Sequence, residues 1–130
     1  AVAVDGKALL IEGASGSGKS GLALEMMARG AVLVADDRVV VTQTCNGLSL
    51  SAPAALTGLI EARFLGILNA TACPSATLCA VLTLDRMEDQ RLPPRRSKKI
   101  LGFEKPLLHN CASPYFPAAL VQYLKSGRKE

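Results

Sequence analysis

An apolar stretch, ALLIE at residues 8–12, runs directly into GASGSGKS at residues 13–20, and a helical pattern follows over residues 19–29. No other feature restricts the chain as much. A buried strand, a glycine-rich turn and a helix in immediate succession belong to an α/β unit, in which the next strand returns beside the first by a crossover. Gly13, Gly18, Lys19 and Ser20 stand at the fixed positions of G-x-x-x-x-G-K-[ST], with Ala14, Ser15, Gly16 and Ser17 between them. The pattern has a physical basis. A loop that wraps a polyphosphate must aim successive backbone N–H groups inward, and side chains on its inner surface would obstruct them. The helix that begins where the loop ends adds a partial positive charge of about half an elementary charge. The segment therefore reads as a P-loop for a nucleoside triphosphate such as ATP. Lys19 reaches the outer phosphates and the Ser20 hydroxyl is placed for Mg²⁺, a hard ion that takes oxygen ligands.

The remaining pattern is that of an α/β chain with a mixed sheet. Gly30 is suited to end the first helix. AVLVA at residues 31–35 predicts a second strand, and Asp36 and Asp37 follow it at once. Residues 39–43 and 48–52 flank Asn46-Gly47, a pair that favours a tight hairpin. Residues 53–59 suggest a short helix, residues 62–68 extended structure, and ATLCAVLTL at 76–84 a central strand. Residues 85–99 are polar and rich in Arg and Pro, and read as a mobile loop. Short strands are expected at 100–103 and 107–108. A final helix is expected at 114–124, capped by Ser113 with Pro117 in its first turn.

Length and composition, 130 residues with 49% hydrophobic and 20% charged, suit one globular domain over residues 1–130 that buries roughly two thirds of its unfolded surface. No apolar run has the length of a membrane span, and nothing reads as a secretory signal. No Met precedes Ala1, which is compatible with a trimmed leader. Cys45, Cys73, Cys79 and Cys111 form no C-x-x-C pair; they read as free thiols of a reducing cytoplasm, with zinc not expected. The net charge of +4 is concentrated late, in Arg86, Arg91, Arg95, Arg96, Lys98, Lys99 and Lys105. Such a cluster either attracts phosphate and acidic partners or is a solvated loop. No nucleic-acid signature accompanies it.

Asp36 and Asp37 end an apolar run, and ligands of parallel α/β sheets sit beyond the carboxyl ends of the strands. Neighbouring strand residues point to opposite sides. One aspartate is thus available for Mg²⁺ or its water and the other for an acceptor hydroxyl, whose proton a carboxylate can take. Asp is also common in turns, which is the plainer reading of either residue.

These segments together resemble a known family. The stretch LLIEGASGSGKSGLALEMMARGAVLVADDRV at residues 9–39 is similar to the catalytic domain of HPr kinase/phosphorylase. SAPAALTGLIEARFLGIL at 51–68 is similar to that family's second signature, of the form E-x-R-G-L-G-I, and QRLPP at 90–94 falls where the family carries a catalytic arginine. The resemblance implies a phosphoenolpyruvate-carboxykinase-like fold and the short alphaproteobacterial-type form. It also implies ATP-dependent phosphorylation of a serine of the phosphocarrier protein HPr, with its reversal in some members. It assigns phosphate binding to Lys19, Mg²⁺ to Ser20 and Glu61, proton acceptance to Asp37 with Asp36 beside it, and the catalytic arginine to Arg91. Arg63 would position the phosphoryl group or the partner. HPr would be recognised by the surface around residues 61–68 and the basic region 85–105. A homo-oligomer, hexameric in the family, is implied, acting on a protein partner and on neither nucleic acid nor membrane.

This chain departs from the family pattern in four places. Gly21 replaces an acidic residue, and Phe64 stands where the signature has Gly. LLHNCASP at 107–114 does not resemble the stretch associated with dephosphorylation, and no His precedes Lys19, upstream of which the family places a catalytic His. His109, the one histidine, reads as a polar loop residue. Two other readings stand beside the protein kinase: a small-molecule P-loop kinase, and a module that binds ATP without transferring anything.

Overall fold

The computed structural model describes residues 1–45 and 47–130. In chain order the elements are β1 (Val2–Val4), β2 (Lys7–Glu12), α1 (Lys19–Met27), β3 (Val32–Leu33), β4 (Val40–Thr44) and β5 (Gly47–Ser51). They continue with a 3-10 turn (Ala54–Leu56), β6 (Leu59–Ala62), β7 (Gly66–Asn69), β8 (Ala76–Met87), β9 (Arg96–Ile100), β10 (Phe103–Asn110) and α2 (Phe116–Ser126). The main sheet has the order β3-β1-β2-β8-β10-β9, with β5 also on β8 and β4 on β5; β6 and β7 form a separate hairpin. β2, β8 and β10 are parallel and the remaining pairs antiparallel, so the sheet is mixed and the chain α/β.

The strand period of two sorts the apolar residues onto two faces. Leu9, Ile11, Ala80 and Leu82 meet Met26 of α1 and Leu120, Val121 and Leu124 of α2. Ala8, Leu78 and Val81 turn the other way, against Val34, Leu48 and Leu50. Because helices cover one face and the β4–β5 hairpin the other, β2 and β8 read as continuous apolar runs instead of alternating ones. Each large side chain buried this way contributes about 1.5–3 kcal/mol. The result is a firm platform whose parallel strands all end at the edge that carries the glycine-rich loop.

Several expectations need correction. The stretch at 31–35 supplies only a two-residue strand, and β3 does not lie beside β2. β1 comes between them, antiparallel to both, joined to β2 through Asp5 and Gly6 with φ of 51° and 76°. The crossover from β2 to β3 therefore spans one interposed strand. The expected loop at 85–99 is shorter than its composition suggests: β8 continues to Met87 and β9 begins at Arg96, which leaves residues 88–95 between the strands. Residues 100–103 are not one strand: Ile100 ends β9, Phe103 begins β10, and Leu101 and Gly102, at φ of 46° and 84°, make the turn between them. Residues 62–68 are not a continuous extended stretch but part of the β6–β7 hairpin, and 53–59 contributes only the 3-10 turn. α2 begins at Phe116, and no side chain caps it; Ser113 contributes its carbonyl oxygen, which accepts from the Phe116 N–H at 3.0 Å. His109 lies in β10, not in a loop. In the expected Asn46-Gly47 turn, Asn46 lies outside the described residues.

Candidate functional site

β2 ends at Glu12 and α1 begins at Lys19, with the loop 13–18 between them at the carboxyl edge of the sheet. Gly13 has no room for a side chain: a Cβ there would meet Ser17 Oγ at 2.5 Å and Leu84 Cβ at 3.2 Å. Gly18 has φ of 99°, the left-handed region that favours glycine, and from there its carbonyl oxygen accepts from the Leu22 N–H at 2.9 Å. The first turn of α1 holds no acidic residue, and no side chain caps it. Its N–H groups thus form a positively polarised end without an internal counter-charge. Lys19 folds back over the loop, Nζ donating to the carbonyl oxygens of Gly13 at 2.7 Å and Ala14 at 3.2 Å.

A chain of hydrogen bonds connects this helix end to the opposite wall. Ser20 Oγ donates to Asp36 Oδ1 at 2.6 Å, and Asp36 Oδ2 accepts from the Glu61 backbone N–H at 3.0 Å. Both carboxylate oxygens of Asp36 are therefore engaged. Asp37 differs from it: the residue is exposed, has φ of 64°, and its carboxylate has no hydrogen-bond partner among the described residues. The two aspartates do not alternate across a strand, because β3 ends at Leu33, and both line one cleft. Ser20, Asp36, Asp37 and Glu61 put oxygen groups, the kind that hard cations such as Mg²⁺ take, on the walls of this cleft, but among the described residues no three carboxylate, Cys or His side chains are grouped closely enough to hold a metal ion by themselves.

That cleft has a volume of about 910 Å³ and brings together Ser15, Lys19, Ser20, Asp36, Asp37, Glu61 and Arg63. Leu24, Leu59, Ile60 and Ile67 form its apolar side. Arg91 is not brought to it; it lies exposed in the segment 88–95. The basic region is also less free than its composition suggests. Arg96 pairs with Glu88, Lys98 of β9 with Glu12 at the end of β2, and Arg95 donates to the Lys129 carbonyl oxygen. The Arg96 hydrogen bond holds the Glu88 carboxyl below its ordinary value of 4.5.

One site residue escaped the sequence reading. Asp85, near the end of β8, accepts from the Ala14 N–H at 3.1 Å and so ties down the first turn of the glycine loop. Its signal was position: β8 is parallel to β2, and Asp85 follows the last apolar residue of its run. Phe64, at the tip of the β6–β7 hairpin, has φ of 69° and its side chain is entirely exposed. It adopts the backbone conformation that a glycine in its place would hold without strain.

Among known proteins, the family described as the HPr Serine kinase C-terminal domain matches residues 1–78. A protein named HPr kinase/phosphorylase from Brevibacillus brevis is 52% identical over 65 residues, covering 49% of this chain and 21% of that protein. One of the same name from Bordetella pertussis is 48% identical over 65 residues, with 49% and 21% covered. These matches span about a fifth of the length of the curated relatives. The solved structure of the Hpr(Ser) kinase/phosphatase from Coxiella burnetii superposes with a TM-score of 0.78 at 22% identity, covering 95% of this chain and 89% of that one. At that identity the likeness speaks for the fold alone.

Proposed function

This chain belongs to the HPr Serine kinase C-terminal domain family, and from that premise we propose that it transfers the γ-phosphoryl group of ATP to a serine hydroxyl of the phosphocarrier protein HPr. The observation that carries the proposal is the linkage of Ser20, Asp36 and Glu61 across the cleft from an uncapped helix end. It sets oxygen donors and a free carboxylate opposite backbone amides, the arrangement phosphoryl transfer requires.

In this reading the loop 13–18 is a P-loop, and the amides of residues 14–20 hold the polyphosphate. Lys19 exchanges two carbonyl oxygens for phosphate oxygens, so the free state holds the ammonium close without neutralising it. Mg²⁺, when bound, would neutralise the phosphates; Ser20 and Glu61 would hold it, joined by Asp36, whose carboxylate already contacts both residues. Asp37 receives the proton of the attacking serine, because it is the carboxylate of the pair not already committed to hydrogen bonds. Arg63 stands in the cleft near the transferring group, whereas Arg91 requires movement of the segment 88–95 to reach it. HPr approaches over the β6–β7 hairpin, and the assembly is a homo-oligomer in the cytoplasm.

The test is transfer of label from γ-labelled ATP with Mg²⁺ to purified HPr. Label on an HPr serine supports the proposal. Label on a small metabolite supports a small-molecule kinase, and ATP binding with no transfer a regulatory module. Either result overturns it.

A further inference from the structure

A second cleft, of about 470 Å³, opens on the other flank of the glycine loop. It shares Gly18 with the first cleft but otherwise has different walls. Leu22 of α1, Leu84 of β8, Asn110 and Cys111 at the end of β10, and Phe116 at the start of α2 enclose it. In the sheet order, β2 stands between β3, which leads into the aspartates, and the pair β8 and β10, which leads here. The two clefts therefore lie to either side of the strand that carries the loop.

We propose that this second cleft holds the base and ribose of the nucleotide whose phosphates lie in the glycine loop. The inference rests on the proposed phosphate role of that loop and adds which direction the nucleoside takes. Three observations support it. The first is charge. The 910 Å³ cleft presents Asp36, Asp37 and Glu61, the groups that serve a cation and an acceptor. The second cleft presents one carboxylate, Glu25, which is paired with Arg29 at 2.7 Å. A heterocycle is better matched to apolar and aromatic walls with few polar groups, in a space of roughly 300–1,000 Å³.

The second observation is Ser17. Its Oγ is buried without a hydrogen-bond partner among the described residues, and the residue lines the second cleft and not the first. A buried hydroxyl without a partner is costly, and this one belongs to the stretch of the glycine loop that borders the second cleft. The third is a break in pairing: the β10–β8 register shifts between His109 and Asn110. Such an irregularity re-aims a side chain at the end of a strand. The Asn110 side-chain oxygen accepts from the Cys111 N–H at 2.9 Å. That bond orients the side-chain amide and leaves its N–H donors for an acceptor on the base.

The experiment measures binding of Mg·ATP and of inorganic tripolyphosphate by calorimetry, on the full chain and on Cys111→Trp and Phe116→Ala. Cys111→Trp fills the cleft; Phe116→Ala removes its aromatic wall. Loss of a stacked base costs about tenfold in affinity or more. The expected result is an ATP affinity at least about tenfold weaker in both variants with tripolyphosphate unchanged. Phe116 also packs against the core, so if that variant fails to fold, Cys111→Trp decides. Unchanged ATP binding overturns the assignment of the nucleoside while leaving the phosphate role of the loop intact. Equal weakening of both ligands also overturns it, because the variant then acts through the loop. If the unaltered chain binds neither ligand, the phosphate role fails and the assignment with it.

Discussion

The two walls of the large cleft are built differently. On the glycine-loop side, polar groups find partners within the fold: Lys19 on two carbonyl oxygens, the Ala14 N–H on Asp85, Ser20 on Asp36. Glycines occupy the left-handed positions at Gly16 and Gly18. On the opposite side, Asp37 and Phe64 hold left-handed conformations without being glycine, and both are exposed. Each such residue costs roughly 1–2 kcal/mol, less for Asp, whose short polar side chain tolerates the conformation. The first wall is thus organised before any ligand arrives. The second retains backbone strain at Asp37 and Phe64 and an uncommitted carboxylate at Asp37.

The sharpest test of this difference is Asp37→Asn. Removing the proposed proton acceptor should lower transfer to HPr serine by about 10²–10⁴-fold, while Mg·ATP affinity by calorimetry stays within about twofold. Retained transfer would reduce the uncommitted carboxylate to a turn residue and blur the contrast. Next comes Asp36→Ala, which cuts the link between the walls. Hydrogen bonds to charged groups are worth about 1.5–3 kcal/mol each when well shielded; Asp36 is half-buried, so a total loss of about 2 kcal/mol is expected in urea unfolding. Mg²⁺-dependent strengthening of ATP binding should disappear with it, and its persistence would separate the linkage from the cation.

A smaller effect, of opposite sign, is expected from Phe64→Gly. Relief of the left-handed backbone is partly offset by the greater freedom of glycine in the unfolded chain, leaving a net gain of about 0.5 kcal/mol, whereas Phe64→Ala should give none. A loss of HPr affinity in both variants would place the exposed ring in the partner surface. The smallest effect lies outside both walls, at Glu88. Its folded-state carboxyl is depressed by Arg96, so its stabilisation is present above the ordinary carboxylate range and fades as pH falls through the folded value. Unfolding midpoints measured from neutral pH to pH about 3 should therefore decline less in Glu88→Gln than in the unaltered chain. An equal decline would mean that the pair does not tether the segment 88–95.

Legibility followed the range of the interactions. The β2–loop–α1 unit was readable because periodicity and glycine placement act within a few residues. β9 was not. RSKKI has no apolar alternation, since it is an edge strand whose charges have distant partners, Glu12 and Glu88. β1 was missed because three short residues become a strand only when β2 and β3 flank them. Asp85 looked like part of a polar loop until the parallel pairing of β8 with β2 brought it to Ala14.

Residue order alone determined the glycine-rich turn, its lysine and serine, the acidic pair and the alternation of strand and helix, because local sterics and hydrophobic period decide those. Tertiary structure decided which aspartate is committed and which is free, that Arg91 stands apart from the cleft, and that a second cleft opens beyond β8. Those depend on contacts between residues far apart in the chain, which come into being only when the sheet closes.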